Sequence, residues 1–280
     1  MAIRPLSATI SLLLPLLFLS CVDGIVPPGY QGPLRTFQTS FETEADFSPF
    51  YIVTPGDYDS SHGLSADQVH EGSFAHKAWI LKARADTNDG WPYLPHRAYP
   101  TVQFHKTEDG IYRTPCLVSL WVNLDIVLAD RPSGQIDDWF SFITLSPDTS
   151  DDWTRTVLVN ITPSGYALLV HVPRQGEQDR IWQASAATDP GGALLFPYRT
   201  WTRLDILIDF AAEGGYAKVW QSGQLVSHAL VEGGEGALAQ AHFGLYASAA
   251  LASGTIWNDK LRIKEVADEA EALSLLGDGW

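Results

Sequence analysis

Along most of the chain apolar and polar residues alternate every second position, and clusters of Gly, Pro, Asp and Ser interrupt the pattern at short intervals. Successive side chains of a strand point to opposite faces, so this period marks half-buried strands joined by turns. It predicts strands over Thr36 to Phe41, Ala75 to Lys82, Thr101 to His105, Leu117 to Leu128, Trp139 to Leu145 and Thr156 to Thr162. Further strands are predicted over Ala167 to Val172, Thr202 to Phe210, Ala217 to Gln221, Leu225 to Ala229, His242 to Ala247 and Thr255 to Ile263. Only Val266 to Leu276, rich in Ala, Glu and Leu, reads as helix.

Two hairpins are close to explicit. Lys218 to Gln221 and Gln224 to Ser227 flank Ser222-Gly223, a two-residue loop suited to a primed turn. Asn160 to Thr162 and Ala167 to His171 flank Pro163-Ser164-Gly165. In the strand from Leu117, Val118, Leu120, Val122, Leu124 and Ile126 face one way, and Ser119, Trp121, Asn123 and Asp125 the other. Thr101, Gln103 and His105 should likewise point away from Val102 and Phe104. The expected fold is an all-β, two-sheet antiparallel β-sandwich with a short C-terminal helix.

The N-terminus breaks the pattern. Arg4 precedes an apolar run from Ile10 to Leu19, interrupted by Ser11 and Pro15, with small Ser20 before Cys21. That order reads as a secretory signal, too short for the roughly 20 apolar residues of a membrane span. Phe18-Leu19-Ser20-Cys21 resembles a bacterial lipobox, with Phe18 where Leu is usual, and implies lipidation of Cys21. The expected division is a signal over 1–21, a Pro/Gly-containing tether over 22–35, one sandwich over 36–265 and a helical tail over 266–280. The destination is outside the cytoplasm: the outer membrane or cell surface, with secretion or the periplasm as alternatives. Membrane attachment is expected through the lipid alone.

With the signal and Cys21 set aside, Cys116 is the one cysteine left, so no internal disulfide can form. Ten Trp, ten Tyr and twelve Phe supply bulk for a core instead. A net charge of −15 excludes the basic surface that nucleic-acid binding requires. Positive charge is uneven, however: Lys77, Lys82, Arg84, Arg97, Lys106 and Arg113 fall in one stretch with His76, His96 and His105. A monomer is expected.

Phe41-Glu42, the run Val69-His70-Glu71-Gly72-Ser73-Phe74-Ala75, and Trp257-Asn258-Asp259-Lys260-Leu261-Arg262-Ile263 resemble motifs of jelly-roll carbohydrate-binding modules, within the concanavalin A-like class. The resemblance implies a structural calcium ion (Ca2+) held by Glu42, the backbone around Glu71 and Ser73, and Asp259, with Asn258 standing where that family often has a first Asp. Chain length, Phe243-Gly244-Leu245-Tyr246 and the strand after Gly254 also resemble concanavalin-like polysaccharide lyases of the heparin lyase-like and alginate lyase-like groups. That implies β-elimination on an extracellular polymer containing uronic acid. The alternative is a non-catalytic, surface glycan-binding lipoprotein of the same fold.

β-Elimination needs a base for the proton beside the uronate carboxylate, an acid for the leaving oxygen, and a cationic or amide group on the carboxylate. The segment from His96 to His105 holds imidazole, phenol, guanidinium and amide groups. His105 is the expected base, Tyr99 or Tyr246 the acid, and Arg97 and Gln103 the carboxylate partners. Trp121, Asn123, Asn160, His171, His76, Lys77 and His96 are the expected substrate-binding residues. The Arg-Ser-Glu-Leu-Arg and Gln-Ile-His motifs of known lyases do not occur, nor do the carboxylate-rich strand of sandwich hydrolases or a Gly-x-Ser-x-Gly elbow.

Overall fold

The computed structural model describes residues 32–53, 58–83, 95–130, 138–150, 153–173, 180–182, 194–232 and 234–276. The signal segment, Cys21 and the tether up to residue 31 lie outside them, as does Arg84. Among the described residues, no helix is long and apolar enough to cross a membrane.

The alternating strands assemble into two antiparallel sheets. The back sheet runs β14 (Gln224–Leu230), β13 (Tyr216–Gln221), β12 (Thr202–Asp209), β7 (Cys116–Asp125), β17 (Thr255–Glu265), β4 (Ala75–Ile80), β3 (Ser60–Ser65), with β1 (Thr36–Thr39) also paired to β17. The front sheet runs β11 (Arg180–Trp182), β10 (Ala167–Val172), β9 (Thr156–Ile161), β8 (Phe140–Ser146), β16 (Gln240–Ala247), β5 (His96–Gln103), β2 (Phe50–Val53). A short ribbon pairs β6 (Tyr112–Arg113) with β15 (Ala237–Leu238). The helix is α1 (Glu269–Leu275), its first turn capped where Asp268 accepts from the Glu271 N–H at 2.9 Å.

The core lies between the sheets and follows the period-two reading. Val118, Leu120, Val122 and Leu124 of β7 and Leu204, Ile206 and Ile208 of β12 meet Phe140, Phe142 and Phe243 from the front sheet, all buried in one cluster. Burying each such side chain contributes about 1.5–3 kcal/mol. Cys116 is buried and unpaired with another cysteine, and burial pushes its thiol well above the ordinary range, as an inert core thiol requires. Ser222 and Gly223 take φ values of 50° and 83°, so the β13–β14 hairpin has the primed turn its sequence specifies.

Two departures bear on function. β5 starts at His96, five residues before the predicted strand, and stops at Gln103; Phe104–Lys106 is a 3-10 turn. Phe104 packs on Tyr112 at 4.6 Å and Phe37 at 5.6 Å between ring centroids, and its carbonyl accepts from the Thr107 N–H. That packing turns the chain inward and removes His105 from the strand. The second departure is β3, Ser-Ser-His-Gly-Leu-Ser, which has turn composition yet pairs with β4 along its whole length. Its tertiary partner overrides weak local propensity.

Candidate active site on the front sheet

The outer face of the front sheet is built by register. Arg97 of β5 pairs with Tyr246 of β16, which pairs with Ser141 of β8, which pairs with Asn160 of β9. In a second row, Thr101 pairs with His242, His242 with Thr144, and Thr144 with Leu158. Leu158, Leu168 and Val170, with Val172 and Tyr246 against them, form an apolar flank on this face. Tyr99 projects between the rows and stacks on His242, with centroids 4.1 Å apart and planes 12° apart. Tyr246 meets both rings edge-on, at 6.0 Å from Tyr99 and 5.6 Å from His242. Trp139 lies 4.9 Å from Tyr246 and Trp153 4.9 Å from His242, closing the cluster from neighbouring loops.

The Arg97 guanidinium carbon sits 5.4 Å from the Tyr246 ring and 5.5 Å from the Tyr58 ring, and Nη1 donates to the Tyr58 hydroxyl at 3.2 Å. Among the described residues no carboxylate pairs with Arg97, although Lys77, Lys82 and Arg113 pair with Asp67, Asp59 and Glu265. Burial, and then the charge of Arg97, lowers His242 to about 3, so its imidazole is neutral. Burial raises the Tyr99 phenol, with Arg97 pulling the other way, and the proton stays on. Among the described residues, Arg97 Nε, both ring nitrogens of His242, Thr144 Oγ1 and Asn160 Oδ1 are buried without hydrogen-bond partners. Native proteins leave few buried polar atoms open, and a group of them on one face marks a place where a polar ligand can complete the bonding.

Of the predicted residues, Arg97, Tyr99, Tyr246 and Asn160 share this patch. Gln103 lies on the same face one row away, donating to Gln240 Oε1 at 3.0 Å and accepting from Lys106 Nζ at 3.1 Å. His105, the expected base, sits in the 3-10 turn with Nδ1 3.4 Å from the Ala239 carbonyl. His96 and His171 point into the sandwich: His96 Nε2 meets the Leu251 carbonyl at 3.1 Å, and His171 is held between the Thr156 carbonyl and the Glu232 N–H, each at 3.0 Å. His76 is in the core among Phe41, Phe47 and Phe243, 3.1 Å from His62 and 3.2 Å from Asn258. Trp121, Asn123 and Lys77 lie on the back sheet, across the core from Gln103. Trp121, Gln103 and His105 therefore line no common groove.

His242 was absent from the predicted set although its signal was present: His242 and Tyr246 are four apart on a predicted strand, hence on one face. Tyr58 and Trp153 come from loops, which no periodicity places; Trp139, the first residue of the predicted strand Trp139 to Leu145, immediately precedes β8. Asp138, just before β8, is buried and accepts from the Ala129 N–H at 2.9 Å.

The carboxylates assigned by resemblance to calcium converge at the other edge. Phe41 has φ 56°, and Asp46 accepts from the N–H groups of Glu42 and Thr43 at 2.6 and 2.9 Å, fixing the backbone that carries Glu42. The Ser73 N–H donates to Glu42 at 2.9 Å, and those of His70 and Glu71 donate to Asp259 at 3.1 Å each. A bulge after Asp259, with Lys260 at φ 48°, sets its direction. Burial, assisted by the charge of Glu42, raises Asp259 to about 6 against three backbone N–H bonds. Among the described residues neither carboxylate has a basic side chain as partner, and no three His, Cys, Asp or Glu side chains converge. Two acids repelling each other in a turn suit a hard cation completed by main-chain oxygens.

No protein-family model matches the chain, and no curated protein matches it in sequence. Among solved structures it is similar to "Cellulose induced protein, Cip1", with a TM-score of 0.54 and 14% identity over 81% of this chain and 96% of that one. It is also similar to an endo-β-1,4-glucuronan lyase from the fungus Trichoderma reesei, with a TM-score of 0.54 and 13% identity over 82% of this chain and 95% of that one. At these identities the likeness establishes the fold, a jelly-roll β-sandwich.

Proposed function

We propose that the chain is a carbohydrate-active protein, a polysaccharide lyase that cleaves a uronic-acid polymer by β-elimination on the outer face of the front sheet. The observation that carries this reading is Arg97, a half-buried guanidinium with its Nε buried and, among the described residues, without a carboxylate, beside neutral His242 and the phenols of Tyr99 and Tyr246. A uronate would supply the missing anion, and Asn160 would assist Arg97 in taking charge that develops on the carboxylate as the enolate forms. His242, in place of His105, accepts the proton beside the carboxylate; the substrate's negative charge raises its affinity for that proton. Tyr246 donates its phenolic proton to the leaving oxygen as the carbon–oxygen bond breaks and the carbon–carbon double bond forms. Arg97 then faces the phenolate until the imidazolium returns the proton through solvent. The likeness to the glucuronan lyase supports this reading at the level of the fold.

Incubation with glucuronan, alginate, ulvan and heparinoids, followed by the ultraviolet absorbance of the unsaturated product, tests it. Turnover of at least one polymer is expected, with Arg97→Met losing about a hundredfold or more in kcat/KM, as loss of a charge-stabilising group does. Silence on every uronate polymer, with retained binding, would instead support a non-catalytic glycan-binding protein.

We further propose that Glu42 and Asp259, with main-chain oxygens near Glu71 and Ser73, hold a structural calcium, and that the N-terminal segment directs export with Cys21 as lipid anchor. Loss of membrane association in Cys21→Ala is the expected result.

A further inference from the structure

The outer face of the back sheet carries aromatic and polar side chains that the uronate site does not use. Pairing aligns Lys77 of β4, Trp257 of β17 and Asn123 of β7 in one row, and Trp79, Thr255 and Asp125 in the next. Lys77 Nζ stands 5.6 Å from the Trp79 ring centroid and 5.5 Å from that of Trp257. Farther along, Trp121 stacks on His70 with centroids 3.7 Å apart and planes 20° apart, and Trp201 lies 5.7 Å from the same imidazole. All four indoles are partly exposed.

Two polar atoms among them are open. Asn123 is 3% exposed, and among the described residues its Oδ1 has no hydrogen-bond partner; nor has Trp257 Nε1, also buried. Trp257 and Asn123 are cross-strand partners, so an acceptor and a donor wait side by side. Leaving such groups unpaired costs about 1–3 kcal/mol each, which a solvated sheet face has no reason to retain. Charges on this face are matched within the protein: Lys77 with Asp67, Arg199 with Asp125 at 2.8 Å and Arg203 with Asp205 at 2.9 Å. Among the described residues it offers apolar rings and a donor–acceptor pair without a spare cation for an anionic chain.

We propose that this face is a second, non-catalytic glycan-binding surface, selective for a neutral pyranose polymer. A pyranose has an apolar side that stacks on an indole and hydroxyls that both donate and accept. Sugar rings lie on Trp79 and Trp257, one hydroxyl donates to Asn123 Oδ1, and another accepts from the Trp257 N–H. The Trp121–His70 stack extends the platform along the strands. The surface is separated from Arg97 and His242 by the whole core, so it stands whether or not those residues catalyse. In a protein with both sites, the back face would retain the chain on a neutral matrix while the front face meets uronates.

The full chain is run in affinity gels containing hydroxyethyl cellulose, xylan, galactomannan or laminarin, with alginate as the anionic comparison. Retardation by at least one neutral polymer is expected, weakened about tenfold in Trp79→Ala, where a stacking ring is lost, and also in Trp257→Phe, where a ring remains but the donor goes. Thermal melts confirm that both variants are folded. Arg97→Met should retain full binding, which keeps this result separate from the uronate assay. Free migration of the folded chain in all four neutral polymers overturns the proposal, as does retardation unchanged in both tryptophan variants. Loss of retardation in Arg97→Met also overturns it, because the neutral chain would then occupy the front sheet. Self-association that disappears in Trp79→Ala, without polymer binding, assigns the face to a second copy and overturns it as well.

Discussion

Among the described residues His242 is buried with both ring nitrogens open, stacked on Tyr99, edge-on to Tyr246 and close to the charge of Arg97. A residue kept in that state for packing alone would be better replaced by an apolar ring. His242→Phe preserves the stack on Tyr99 and removes two unsatisfied atoms, so it should raise stability by about 1–3 kcal/mol. For a domain of this size that is roughly 2–4 °C in Tm per kcal/mol. The same variant should abolish uronate turnover, an exchange of stability against function. A melt and an elimination assay on one preparation check both, and unchanged turnover would remove His242 from the mechanism. Gly72 is a second position where one atom decides. Its φ is +85°, and an added Cβ would come within 1.9 Å of Glu42 Oε1. Gly72→Ala should therefore destabilise by more than the roughly 1 kcal/mol of an ordinary Gly exchange. It should also erase any rise in Tm given by calcium over chelator in the unaltered protein.

Among the elements, the β13–β14 hairpin is specified locally, and β5 is not. Ser222 occupies a left-handed position at φ 50°, which Asn tolerates better. Ser222→Asn should stabilise by a few tenths of a kcal/mol, read as a small rise in the denaturant midpoint at constant slope. β5 shows the other case. Of its outward residues, period two made Thr101 and Gln103 legible; Arg97 and Tyr99 lie before the predicted start at Thr101, and the site brings those two together with Tyr246 and Asn160. Its end was not legible, because the turn at Phe104 is set by Tyr112 and Phe37, which come from distant parts of the chain. His105 was therefore misplaced by packing and not by alternation. At the opposite edge, Arg35 and Arg113 pair with Glu265 at 2.7 and 2.9 Å, tying the chain before β1, the ribbon strand β6 and the end of β17 together.

For the molecule as a whole, neutral histidines inside the sandwich set its response to acid. Burial, and then the charge of His62, holds His76 well below its ordinary value, burial lowers His62, and His242 is held at about 3. The unfolded chain takes up these protons first, so the stability they give is whole above about pH 6.5 and is lost as pH falls from there toward the native values. Asp259, raised to about 6, and Asp205, also raised by burial, work the other way between their native values and the ordinary carboxylate range, but they are two groups against three histidines. Tm should fall steeply between pH 6.5 and 4. His62→Phe, which removes one member of the buried pair, should flatten that fall; an unchanged profile would show that other groups govern acid unfolding.

Period-two alternation, the Ser222-Gly223 turn and the Ala-Glu-Leu tail determined by themselves that this chain is a two-sheet sandwich with a terminal helix. Alternation tells which residues share a face of a strand, because side-chain direction is a local property of extended backbone. It does not tell which sheet a strand joins. Register and sheet order alone placed Trp121, Asn123 and Lys77 on the back and Arg97, Tyr99, Tyr246 and His242 on the front. The pairing of strands far apart in sequence is a tertiary choice, made by the packing of both sheets on one core.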